Sequence, residues 1–435
     1  MTAVIIISLV TVLATAALAL LEPMLHARHP SWRIYWIAPL VGALILIVGK
    51  WIPLGEAYAG LTADSAVNPI KILILFFSMT LMSVFLDEAG FFRYLAGRVL
   101  RHAGSSQKKL FIMLYLAVSV LTVFTSNDII ILSFTPFICY FAKHANISPI
   151  PYLAAEFVAA NTWSMALIIG NPTNIYLAAG NYIDFATYFG VMALPTLFGG
   201  AMSIFMLWAL FGRRLERPMR PQNEESHLSD KPTVILGLVA LGGCILFLVL
   251  SSYLDMPMWL IAAVACVLLY LSAIPELLIR RRGMAVVKHS FKRAPYDVIP
   301  FVLAMFVVVM ALGRVGATDV LRSVVLGQGE LWRSGILAFL SANLLNNIPM
   351  SVLFSTIVSM DGVASLPGLY AAVIGSNVGA FFTPMGALAG ITWMALLKQH
   401  RVSLSFGRFV LYGAALSIPT LLASLGGLSL VMLFL

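Results

Sequence analysis

The residues of this chain that could do chemistry are polar clusters set inside apolar runs. Two of them, Thr125, Ser126, Asn127 and Asp128 in TSNDII and Asn346 and Asn347 in LLNNIP, interrupt otherwise aliphatic stretches. Each is followed about forty residues later by a second interruption, Gly170, Asn171, Pro172, Thr173 and Asn174 in the first case and Thr383, Pro384, Met385 and Gly386 in the second. Asn161 and Thr162 precede the first of these breaks, and Ser376 and Asn377 precede the second. Pro removes a backbone donor and crowds the preceding turn, and Gly lets the chain bend, so each break predicts a helix that stops and restarts. Backbone that leaves helical geometry at membrane depth persists only where protein or a water-filled cavity satisfies its hydrogen bonds. Half-helix N-termini and amide, hydroxyl and carbonyl groups gathered there suit a cation or a hydroxylated solute.

Two acids could add a charge. Asp128 is the only acid of the first tip, and an intramembrane carboxylate is costly enough to be read as functional rather than as a helix cap alone. Glu156 lies in the apolar run Tyr152 to Ala160, where it could titrate, pair with a cation on another helix or face a mouth of the protein. Asp128 and Glu156 are therefore the candidates for proton coupling. The second tip carries Asn343, Asn346 and Asn347 without an acid. The seven histidines map to loops or span ends, so an embedded His relay is not expected. The three cysteines, Cys139, Cys244 and Cys266, stand apart with no CxxC or His partner. They read as small buried hydrophobes, with no metal site or cofactor expected.

The elements that must position these groups are membrane spans. The chain has 435 residues, 61% hydrophobic and 10% charged, which excludes a soluble single-core protein. The formal net charge of +9 comes from short segments between apolar runs, so it reads as an orientation signal and not as a nucleic-acid surface. Runs of roughly 20 apolar residues suffice to span. They fall at 2–21, 34–51, 70–87, 150–181 (interrupted), 187–211, 232–252, 256–275, 296–314, 368–398 (interrupted) and 409–433, the first read as a retained span and not a signal peptide. The shorter pairs 110–142 and 334–360 suit re-entrant hairpins. With the N-terminus outside and both hairpins returning to their own side, 22 of the 27 Lys and Arg fall on one face, which makes that face cytoplasmic.

The fold class expected is an all-α polytopic membrane protein built as an inverted repeat of two five-span halves, each with a re-entrant hairpin and a broken helix. Residues 1–211 form the first half, 212–231 a cytoplasmic linker carrying Glu224, Glu225 and Asp230, and 232–435 the second half. Leu86, Gly90, Leu95 and Leu100 recur with the same spacing as Leu312, Gly316, Leu321 and Leu326. An inverted repeat with broken helices is the signature of a secondary transporter with a midplane site. No nucleotide-binding GxxxxGK[ST] occurs, so the expected driving force is an ion gradient or a separate ATPase.

Several stretches carry a family resemblance: MSVFLDEAGFFRYLAGRVLR, the ND of the first tip, KRAPYDVIPFVLAMFVVVMALGRVGATDVL, LLNNIPM and GSNVGAFFTPMGALAGITWMALLKQHRVSLSFGRF. In these the chain resembles the ArsB arsenite efflux permeases, of the wider ion transporter superfamily that includes NhaD-type Na⁺/H⁺ antiporters and divalent-anion/Na⁺ symporters. The resemblance implies efflux of As(III) and Sb(III) across a bacterial inner membrane in exchange for protons, with an ArsA-type ATPase as a candidate partner. It places the family's tips on Asn127, Asp128, Asn346 and Asn347 and its helix breaks on Asn171 to Asn174 and Thr383 to Gly386. The chain departs from the arsenite branch at Asn161 and Asn377, where those permeases carry acids nearby, and TWSMALIIGNPTN looks more like other branches.

The substrate/ion-binding set is thus Ser126, Asn127, Asp128, Asn161, Asn171, Thr173, Asn174, Asn346, Asn347, Asn377, Thr383 and Gly386. As(OH)₃ is uncharged and hydroxylated, and no Lys or Arg lies near any of the four breaks in sequence. A di- or tricarboxylate would require cations to offset its desolvation. The alternatives are a Na⁺-coupled anion (dicarboxylate-type) symporter and a Na⁺/H⁺ antiporter; a plain channel does not need two matched pairs of interruptions. Both termini are expected outside the inner membrane: a reporter fused after Leu435 should be active only in its periplasmic form, and a cytoplasmic signal would overturn this topology.

Overall fold

The computed structural model describes residues 1–26, 34–63, 68–178, 181, 183–219, 228, 230–358 and 365–435. Arg28, Arg33, His29, Glu224, Glu225 and His227, and with them linker residues 220–227 and 229, lie outside the described residues, as does the end of the second hairpin beyond Val358. The protein is all-helical. Among the described residues, eight helices are long and apolar enough to cross a membrane: Thr2–Ala19, Pro69–Glu88, Gln107–Phe124, Phe185–Leu215, Lys231–Val249, Met258–Ile279, Ala285–Arg314 and Phe406–Val431.

Two differences from the ten expected spans have a length argument behind them. The expected span 34–51 is helical over Ile37–Val48, 12 residues, which at 1.5 Å per residue is only about 18 Å. Conversely Gln107–Phe124, the first arm of the first hairpin, has 18 residues and reaches about 27 Å, close to the hydrocarbon thickness.

Helix starts are set by the residue types the chain places there. Asn68 accepts from the backbone N–H groups of Ile70 and Lys71 ahead of Pro69. Ser106, Asp184, Ser365 and Ser405 cap Lys109, Thr187, Gly368 and Arg408 in the same way. Each closes an orphan donor of a first turn. Gly90 and Gly316 have φ of +85° and +72°, and each turns the chain from a long apolar helix into a short amphipathic one, Phe91–Ala103 and Ala317–Val325. A left-handed turn there suits Gly because it has no Cβ, so the recurring glycines share a backbone role.

The first hairpin consists of Gln107–Phe124 and Asn127–Ala145, joined at Thr125–Ser126. Its first arm lies alongside Ile150–Trp163 in the same direction: the Tyr152 hydroxyl donates to Gln107 Oε1 at 2.9 Å, and the Thr122 hydroxyl to the Ala160 carbonyl at 3.1 Å. The second hairpin, Glu330–Leu345 and Asn347–Val358, runs beside Leu366–Gly379 in the same fashion. There Ser334 Oγ donates to the Gly368 carbonyl at 2.6 Å and Asn343 Nδ2 to the Gly379 carbonyl at 3.1 Å. In both places, then, the hairpin tip comes level with the end of the helix that breaks.

The breaks occupy slightly different residues from those expected. Helix Ile150–Trp163 gives way to 3₁₀ turns at Ser164–Ala166 and Ile168–Gly170 before Pro172–Ala178 resumes. Pro172, Thr173 and Asn174 therefore open the new helix and do not interrupt the old one, because Pro fits a first turn. In the second half the helix ends at Gly379 and resumes at Leu388, through Gln399.

The first break is tight at Gly170, where a Cβ would lie 2.2 Å from the Ser164 carbonyl oxygen. Gly170→Ala should lower stability by about 1–3 kcal/mol through forced backbone movement. Gly190→Ala, where an added Cβ meets nothing within 4 Å, should not. The unfolding temperatures of the two variants in detergent decide this, and equal values would contradict the close approach.

Candidate functional site

The two breaks meet through asparagine amides. Asn377, near the end of Leu366–Gly379, accepts on Oδ1 from Ser164 Oγ and from Asn171 Nδ2, each at 2.9 Å. Its Nδ2 donates to Asn174 Oδ1 at 2.7 Å and to the Val373 carbonyl at 2.8 Å. One side chain of the second half thus ties together both sides of the first half's break. Asn174 Nδ2 in turn donates to the Ser164 and Leu167 carbonyls at 2.8 and 3.0 Å, and the Thr173 backbone N–H donates to Asn171 Oδ1 at 3.2 Å. These bonds take up backbone carbonyls that the 3₁₀ turns leave outside a helical ladder.

Asn161 holds the equivalent place in the first half, and its partner is the first tip: Asn127 Nδ2 donates to Asn161 Oδ1 at 3.0 Å, while Asn161 Nδ2 donates to the Phe157 carbonyl at 2.8 Å. Asn127, Asn161, Asn171, Thr173, Asn174 and Asn377 are all buried and form one contiguous set. The structure thus brings together six of the twelve predicted ligands, with Ser164 as a member that sequence reasoning missed. Its one signal was a hydroxyl placed three residues after Asn161 in an otherwise apolar turn.

The second tip makes a separate cluster. Asn346 has φ of +73°, a left-handed conformation Asn tolerates better than most residues. Its Nδ2 donates to the Met385 carbonyl at 3.3 Å, and the Asn347 backbone N–H donates to the Gly386 carbonyl at 3.1 Å. Asn343 Oδ1 accepts from the Thr383 backbone N–H and hydroxyl, at 3.1 and 2.7 Å. Gly386 is required by proximity, since a Cβ there would lie 2.3 Å from the Gly379 carbonyl oxygen. Asn343, Asn346, Asn347, Thr383 and Gly386 thus join the second tip to its own break.

Asp128 and Ser126 lie to the side of the amide set, lining a cavity of about 70 Å³ with Thr80, Pro172, Thr392 and Arg293. That volume holds a few water-sized groups. The expectation that no basic residue stands near the breaks is therefore corrected: Arg293, distant in sequence, folds against the first tip's cavity. It also pairs with Asp87 and Glu88 at 2.6 Å each, so those acids find a cation in the second half. Ser126 stands at the cap position of Asn127–Ala145 without making a side-chain cap bond.

Glu156 is fully buried on the helix that carries Asn161. Both of its oxygens lie on the Thr135 hydroxyl, at 2.9 and 3.0 Å. Among the described residues it neither pairs with a cation on another helix nor opens to a mouth of the protein. The cysteines do not converge: Cys244 Sγ lies 3.8 Å from Met79 Sδ near Cys266, while Cys139 faces Glu156.

Four buried polar atoms in or beside the amide set have no partner: Asn127 Oδ1, Thr162 Oγ1, Thr173 Oγ1 and Ser376 Oγ. An unpaired buried group costs about 1–3 kcal/mol. Such a concentration suits a site whose remaining bonds are completed by a small polar solute or ion.

The family model for citrate transporters, CitMHS, matches residues 16–367. The chain belongs to the citrate transporter family. It is a multi-pass membrane protein and a secondary transporter. It is 28% identical over 379 residues to the arsenical pump membrane protein of Escherichia coli (strain K12), covering 82% of this chain and 85% of that one. It is 26% identical over 369 residues to a putative arsenical pump membrane protein of Bacillus subtilis (strain 168), covering 76% and 80%. An uncharacterized transporter of Mycobacterium tuberculosis is 24% identical over 371 residues. In fold, the chain is similar to the Alcanivorax borkumensis YdaH transporter, with a TM-score of 0.58 at 14% identity over 92% of this chain and 98% of that one.

Asn377→Ala should strip two buried donors of their acceptor and two acceptors of their donor, at about 1–3 kcal/mol for each group left bare. Asn161→Ala breaks one bond between helices and should cost less. Unfolding temperatures of the solubilised variants test this, and a larger loss in Asn161→Ala would contradict the central place of Asn377.

Proposed function

We propose that this transporter exports arsenite and antimonite across the bacterial inner membrane in exchange for protons. The two halves work as inverted repeats with both termini outside, and the solute binds where the first tip meets the two breaks. The observation that carries this reading is the uncharged chemistry of that set: amides and hydroxyls, of which Asn127 Oδ1 and Thr173 Oγ1 are buried without a partner. As(OH)₃ and Sb(OH)₃ present both donors and acceptors and bring no charge to desolvate. Similarity to arsenical pump proteins over four-fifths of the chain supports the same substrate. Proton exchange is assigned to the first half, where Asp128 and Glu156 stand.

Arg293 favours a second reading, Na⁺-coupled transport of a small carboxylate anion, since its guanidinium lines the cavity beside Asp128. Two carboxylates already share that guanidinium, which leaves little positive potential for an anion.

Expression in arsenite-sensitive cells should raise resistance and empty As(III)-loaded cells several-fold faster than controls, with a protonophore abolishing the effect. Asp128→Asn should slow this efflux. The reading is lost if loaded cells retain As(III) and the purified chain is instead stabilised by citrate only when Na⁺ is present.

A further inference from the structure

Glu156 has one hydroxyl within bonding reach of both its oxygens, that of Thr135. A hydroxyl has one proton to give, so a carboxylate here would keep most of its acceptor sites empty. A neutral carboxyl is satisfied by donating its own proton to Thr135 Oγ1. A further donor stands beside it: the Trp393 indole lies close enough to interact with the carboxyl, but its buried N–H does not reach full hydrogen-bonding geometry with any acceptor. Trp393 belongs to Leu388–Gln399, after the second break, and Glu156 to Ile150–Trp163, before the first. The indole stacks on Phe157, with centroids 4.7 Å apart and planes at 27°, and meets Phe409 edge-on at 5.8 Å. Offset stacking lets a ring slide in its plane without losing contact.

We propose that Trp393 is the positioning residue through which the second half reads the charge on Glu156. When the carboxyl gives up its proton to water, Thr135 turns its hydroxyl from acceptor to donor, and the indole N–H moves in to donate to the second oxygen. Helix Leu388–Gln399 moves with it toward Ile150–Trp163. Reprotonation releases the indole to its stack. Among the described residues, the titratable group facing Glu156 is Cys139, from the same helix as Thr135. Helices Gln107–Phe124, Phe185–Phe211 and Leu366–Gly379, also packed on this span, bring it no charged side chain.

This rests on reading Glu156 as a proton carrier, and its test needs no substrate. The full chain, labelled with 5-fluorotryptophan at its eight Trp positions, is followed by ¹⁹F NMR in lipid nanodiscs as pH is varied, with Trp393 assigned through Trp393→Phe. The Trp393 resonance should move with pH in the native sequence and stay fixed in Glu156→Gln. In Thr135→Val, where the indole is left as the donor at hand, it should move further. A resonance that stays fixed in the native sequence, or moves equally in Glu156→Gln, overturns the proposal. Where Trp393→Phe does not fold, the resonance is assigned by its loss of pH dependence in Glu156→Gln, and the Thr135→Val excursion then decides: no increase overturns the proposal. In proteoliposomes, Trp393→Phe should also displace the pH of half-maximal arsenite efflux by about one unit, a tenfold change in proton activity. Absent arsenite efflux with a Trp393 signal that still follows Glu156 would refute the substrate and leave the coupling intact.

Discussion

Irregular backbone inside a bilayer must find its hydrogen bonds within the protein, and the architecture of this transporter follows from where it finds them. At the first break the carbonyls of Ser164 and Leu167 lie in 3₁₀ turns outside the α-helical ladder, and Asn174 donates to both. The second leaves the Thr383 amide, which Asn343 takes. Asn suits this task because one short side chain both donates and accepts. A carboxylate could only accept and would add an uncompensated charge. Asn161 and Asn377 are therefore consistent with a framework of amides whose bonds are donated and returned locally.

The two halves use the same parts to different ends. Asn161 meets the tip of its own hairpin, whereas Asn377 leaves its own tip to Asn343, Asn346 and Asn347 and reaches across into the first break. The centre of the molecule is consequently built on first-half backbone clamped by a second-half side chain. Displacing the second broken helix would expose Ser164, Asn171 and Asn174 together. A transporter that alternates access needs such a contact, one that is broken as a unit and not bond by bond.

How much of this could be read from residues alone depended on whether the signal was local. The hairpins, their tips and the breaks were legible because Pro, Gly and Asn act on their own few residues. The glycines at 90 and 316 were legible for the same reason. The partner of Asp87 and Glu88 was not, since Arg293 is brought to them only by packing of the second half on the first. Nor was Ser164, whose role appears once the chain turns 3₁₀ and points its hydroxyl at Asn377. The first arm of the first hairpin was read too short because Gln107, Lys108 and Lys109 look like loop. Polar residues at a helix start are compatible with a span when one of them, here Gln107, is paired by a buried tyrosine.

Among the described residues, the charged groups of the long apolar helices and of the helices at the breaks sit at or near helix ends, with Glu156 as the exception. Arg293 joins Asp87 and Glu88 where two helices end, and Arg280 joins Asp230 and Glu276 in like fashion. Burial raises the Asp230 carboxyl, but the Arg280 and Thr233 hydrogen bonds outweigh it and hold the group below the ordinary carboxylate range. A group so depressed adds stability above its unfolded value and loses it as the pH falls through its folded one, so the Asp230–Arg280 pair fixes its end of the frame without responding to a proton near neutrality. A buried carboxyl with one hydroxyl partner is the opposite case: its two protonation states have different hydrogen-bonding needs, and the surrounding helices must move to meet them. Glu156 lies five residues before Asn161 on the same helix, so under the proposed function the proton carrier and the solute site share one rigid rod, a short mechanical link between the two.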